Sequence, residues 1–103
     1  MDEKFGLRET DLKQIQSILS TQPEIEEAII YGSRAKGNYK NGSDVDIVLK
    51  GQQLNFNIIA HISFLLNEET LMPYTFDVLN YPTLQNSDLV EHINRIGKVI
   101  YKS

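Results

Sequence analysis

The sequence has 103 residues, 41% hydrophobic and 23% charged, which is ordinary for one soluble domain spanning 1–103. With no cysteine it excludes disulfides and thiolate metal sites, and no apolar run approaches the ~20 residues that a membrane span needs. A net charge of −4 argues against general nucleic-acid binding through the phosphate backbone. The start "MDEKFGLRET" lacks the apolar core of a signal peptide, so a cytoplasmic location is expected.

In chain order, Leu12, Ile15, Ile18 and Leu19 recur at helical spacing, with Thr10 as an N-cap and "TQP" at 21–23 as the stop. Ala28 to Tyr31 reads as a buried strand that ends at Gly32. Asp44 to Leu49 reads as a second strand. Asn55 caps a helix running to about Leu66, with Leu54 and Ile59 spaced as a hydrophobic staple and Ile58, Ile62 and Leu65 as its apolar stripe. Residues 74–81, "YTFDVLNY", read as a third strand before Pro82. A last helix opens at Ser87, runs through Leu89, Ile93 and Ile96, and ends at Gly97. This order predicts an α/β domain with a small mixed sheet backed by helices.

Chemistry concentrates in 31–49, "YGSRAKGNYKNGSDVDIVL", where ten residues, Arg34 to Ser43, separate Ser33 from Asp44. Strand alternation puts Asp44 and Asp46 on one face and Val45, Ile47 and Leu49 on the other. Two carboxylates so close repel unless a cation lies between them. A hard divalent cation such as Mg2+ suits them, because it takes oxygen ligands and shares them with substrate phosphates. Read alone, the pair is better taken as two wet aspartates at a strand end. The Gly32-Ser33 step is either a plain turn or a place where backbone approaches a phosphate, helped by the amides opening a following short helix. Arg34, Lys36 and Lys40 make a local basic loop in an acidic chain, fitting either a small anion or solvent.

Together, residues 32–46, GSRAKGNYKNGSDVD, resemble the Gly-Ser-x10-Asp-x-Asp signature of the polymerase-β-type nucleotidyltransferases. Nearly the whole chain, through "INRIGKVIY", is similar to the minimal nucleotidyltransferases, the small antitoxin-type members of that superfamily. The resemblance implies their minimal fold and a nucleotidyl transfer from ATP with two Mg2+ ions. It implies that Gly32 and Ser33 grip the β- and γ-phosphates, with Arg34 and Lys36 adding charge, and that Asp44 and Asp46 bind metal. A third acid on a neighbouring strand is matched by Asp77 in "YTFDVL", with Glu68 and Glu69, expected in a loop after the helix, as weaker candidates.

The resemblance also implies a partner. Minimal nucleotidyltransferases pair with a small helical HEPN-type protein, often a ribonuclease toxin, and adenylylate a tyrosine of it. Two other functions stay open: nucleotidyl transfer to a small molecule, after dimerisation to complete the site, and a non-catalytic module that neutralises its partner by contact. His61 and His92 show no metal-ligand spacing and read as ordinary helix histidines. Tyr74, Tyr81 and Tyr101 suit either an interface or the core.

Overall fold

The computed structural model describes residues 4–40 and 42–103; Asn41, inside the expected basic loop, and residues 1–3 lie outside them. The elements are α1 (Glu9–Leu19), β1 (Glu27–Tyr31), α2 (Ser33–Lys36), β2 (Val45–Lys50), α3 (Phe56–Glu68), β3 (Phe76–Asn80), a 3-10 turn (Tyr81–Thr83), α4 (Ser87–Ile96) and β4 (Lys98–Lys102). The four strands form one mixed sheet in the order β3-β2-β1-β4. β2 runs antiparallel to β1 and parallel to β3. The α/β architecture expected from the sequence is therefore present.

Strand alternation sorts the sheet into two apolar faces, each covered by helix. Ala28, Ile30, Val45, Ile47, Leu49, Phe76, Val78 and Ile100 pack with Ile15 and Leu19 of α1 and Ile62 and Leu66 of α3. Ile29, Tyr31 and Val48 pack on the opposite side against Ile93 of α4, with Leu79, Tyr81 and Leu89 around them. β1 and β2 are thus buried on both faces, which is why their sequences are almost continuously apolar.

Three local details differ from the sequence reading. α1 is not capped by Thr10, which lies exposed in its first turn; Asp11 Oδ2 instead reaches back to accept the Arg8 N–H at 3.1 Å. Gly97 does cap α4 as expected, with extended backbone. Residues 98–102, assigned to no element from the sequence, form a fourth strand, because an edge strand with Ile100 alone buried owes its form to pairing with β1. Glu68 is the last residue of α3 and Glu69 its C-cap, so neither belongs to a loop beyond the helix. Asn55 does cap α3, its side chain accepting the Ile58 N–H at 2.9 Å.

Candidate functional site

The antiparallel return from β1 to β2 brings the two halves of the 31–49 stretch together. Tyr31 lies opposite Asp46, and Asp46 lies opposite Asp77 on the parallel strand β3. With Val45 and Ile47, and Phe76 and Val78, all in the larger core, alternation turns Asp46 and Asp77 to the other face, the one that carries α4. Asp44 stands exposed just before β2, and Asp77 is exposed within β3. Three carboxylates therefore share one end of the sheet, beside the Gly32-Ser33 turn.

Their mutual repulsion shows in the electrostatics. Burial raises the Asp46 pKa, and the charges of Asp77 and Asp44 push it further up, with Arg34 pulling the other way. Tyr31, buried next door, is likewise held neutral by burial and by the charges of Asp46 and Asp77. Glu68 and Glu69 do not figure among the charges acting on Asp46. An oxygen-only donor set with uncompensated negative charge has the chemistry of a hard-cation site. Among the described residues no group of three or more His, Cys, Asp or Glu side chains is arranged to hold a metal ion. Mg2+ needs only one or two protein carboxylates, with waters and substrate phosphates filling the rest of its shell.

Gly32 adopts φ 77° and ψ −154°, a region essentially reserved for glycine. A Cβ there would run into Asp46 Oδ2, so the turn and the acid are fitted directly against each other. Its own amide does not face outward: the Gly32 N–H donates to His92 Nε2 at 3.1 Å. His92, read from sequence as an ordinary helix histidine, thus ties α4 to the turn, with its ring edge-on to Tyr31. No sequence signal marks this, since sixty residues separate the partners. His61 is exposed on α3, as an ordinary helix residue would be.

Ser33 opens α2 and is half-buried, while Lys36 at its end is exposed. Arg34 departs from the expectation of a phosphate-facing charge. It is 4% exposed, and its guanidinium donates to Ser43 O and Phe5 O and lies by the rings of Tyr39 and Tyr74. Burial, and hydrogen bonds already made to backbone carbonyls, turn it inward. Lys40 is exposed, its N–H donating to Ser43 Oγ at 2.8 Å. Tyr74, Tyr81 and Tyr101 are all half-buried and packed against the two apolar clusters.

The fold has close counterparts among solved structures. A chain of a toxin–antitoxin crystallised with AMP-PNP superposes with a TM-score of 0.72 at 16% identity, covering 94% of this chain and 75% of that one. A chain from the tri-AMPylated Shewanella oneidensis HEPN toxin in complex with MNT antitoxin gives 0.69 at 14% identity, over 91% of this chain and 71% of that one. A putative nucleotidyltransferase from Sulfolobus solfataricus gives 0.56 at 22% identity, over 90% and 78%. No sequence relative was found among curated proteins. The family model described as polymerase beta, nucleotidyltransferase matches residues 13–103, which include the turn and all three acids. The chain belongs to the polymerase beta nucleotidyltransferase family, and its enzymatic activity is nucleotidyl transfer.

Proposed function

We propose that the protein transfers AMP from ATP to a hydroxyl, with Mg2+ required, and that the acceptor is a tyrosine of a HEPN-type toxin which it thereby silences. The observation that carries this reading is the placement of Asp46 and Asp77 side by side with Gly32 fitted against Asp46. Support for the acceptor comes from the similar fold of the tri-AMPylated HEPN toxin complex, and for the donor from the one crystallised with AMP-PNP.

In this reading the Ser33 hydroxyl and the adjoining amides meet the β- and γ-phosphates, and Lys36 adds charge from the exposed end of α2. Asp44 and Asp46 would hold the metal shared with the triphosphate, and Asp77 a second one on the acceptor side. Two such ions, when bound, supply charge stabilisation at both the attacking and the leaving oxygen. The acceptor hydroxyl releases its proton to solvent, and its oxygen bonds to the α-phosphorus as the bond to pyrophosphate breaks. The chain contributes orientation and a fixed field and needs no covalent nucleophile of its own.

Calorimetry of ATP binding in the presence of Mg2+ tests the placement. Gly32→Val should bind no ATP, since its side chain would collide with Asp46 and would be strained in that backbone conformation. Parental affinity in that variant would move the triphosphate elsewhere.

A further inference from the structure

We propose that Arg34 is a positioning residue, a buried clamp that fixes the Gly32-Ser33 turn against the entry to β2. Nε and Nη2 donate to Ser43 O at 3.2 and 2.9 Å, and Nη1 donates to Phe5 O at 2.9 Å. Arg34 follows Ser33 directly in the chain, and Ser43 directly precedes Asp44. One guanidinium therefore spans the two halves of the site, one peptide bond from each. What those halves bind rests on the function proposed above; the clamp itself does not.

The surroundings are built to hold a planar, forked cation. Tyr39 and Tyr74 place their ring centroids 5.3 and 5.1 Å from its central carbon. Tyr74 is in turn fixed by its hydroxyl, which donates to Asp11 Oδ2 at 2.7 Å. The N-terminal turn, closed by mutual Lys4 and Leu7 backbone bonds, presents the Phe5 carbonyl. To do so it uses two left-handed residues, Phe5 at φ 60° and Gly6 at φ 71°. Left-handed geometry is unfavourable for a phenylalanine, which shows how firmly that carbonyl is directed. A Cβ on Gly6 would meet both Arg34 Nη1 and the Tyr39 ring, so the turn is moulded over the guanidinium.

No carboxylate pairs with Arg34 among the described residues, and its charge is balanced by carbonyls and ring faces. Taking a cation out of water this way is costly, and a second function for the fork accounts for it. Lysine carries the same charge but offers no rigid fork to bind one carbonyl twice and a second carbonyl once. Charge and clamp are therefore separable by substitution.

The test compares Arg34→Lys and Arg34→Met in the whole chain, reading Mg-ATP affinity and amide hydrogen exchange at Ser43 and Val45, whose N–H groups donate to Lys40 O and Thr75 O. Both variants should speed exchange there by about tenfold or more. Both should weaken Mg-ATP binding by about tenfold, lysine doing no better than methionine. A lysine variant with parental exchange and affinity would overturn the clamp and return Arg34 to a role as simple charge. Gly6→Ala presses on the guanidinium without altering Arg34 and covers the case in which both variants unfold. It should raise exchange at the same two residues, and unchanged exchange would also overturn the proposal. If the parental protein binds no Mg-ATP, the proposed function fails, and the exchange measurements still decide the clamp.

Discussion

Asp11 is buried and Asp46 half-buried, and their surroundings treat the two carboxylates in opposite ways. Burial pushes the Asp11 pKa up. Hydrogen bonds from the Arg8 guanidinium, the Tyr74 hydroxyl and the Arg8 N–H outweigh it, so the pKa ends below the ordinary carboxylate value. Burial also pushes Asp46 up, but its neighbours Asp77 and Asp44 add to the effect, leaving it above that value. One region has every acceptor matched to a donor. The other collects charge of one sign at the end of a sheet. The contrast fits the role proposed for Asp46, which needs a carboxylate not already committed to a donor of the chain.

Removing Asp11 should have the largest effect on stability. Asp11→Ala strips the reach-back cap from α1 and leaves the Tyr74 hydroxyl without its acceptor. Chemical denaturation should register a loss of about 1–3 kcal/mol. The Asp11 contribution is present above the unfolded-state carboxylate pKa and is lost as pH falls through the lowered folded value. The variant and parent should therefore converge in acid. A loss that persisted undiminished at low pH would show that the carboxylate charge is not what matters.

Asp46→Asn should have a smaller effect of the opposite sign. A raised folded pKa means that the folded state binds the proton more tightly than the unfolded chain does. Stability from Asp46 is therefore full in acid and is lost as pH rises through the ordinary carboxylate range to the raised value. At neutral pH the asparagine variant, freed of like-charge repulsion, should melt above the parent, with the gap closing as pH falls. An unchanged or lower melting temperature at neutral pH would mean that Asp46 is not strained by its neighbours.

The smallest effect belongs to His92. His92→Leu removes the one acceptor of the Gly32 N–H and should cost about 1 kcal/mol, or about fivefold in Mg-ATP affinity. His92→Gln, which still offers an acceptor, should recover most of it. Equal behaviour of the two variants would show that the bond does not hold the turn.

Much of this site was legible in the sequence because it is local. Gly32, Ser33, Asp44 and Asp46 lie within one stretch, and period-two alternation by itself separates Asp46 from its apolar neighbours. Asp77 was legible only through the family resemblance, since its match to Asp46 depends on parallel pairing between β2 and β3. What escaped was non-local. The direction of the Arg34 side chain depends on Phe5 and Tyr74, and the role of His92 on the packing of α4 against β1. The fourth strand was missed for the same reason, because partner strands, not composition, make an exposed edge.

In the function proposed above, the end of the sheet bearing Asp44, Asp46 and Asp77 transfers AMP to a HEPN-type partner. Intact-mass spectrometry of such a partner, co-expressed with the parental chain or with Asp46→Asn, tests it most directly. The expected result is one or more adenylyl groups on the partner with the parental chain, located on tyrosine, and none with the asparagine variant. A partner that carries no adenylyl group yet is neutralised by both chains would contradict the claim, and neutralisation would then be by contact.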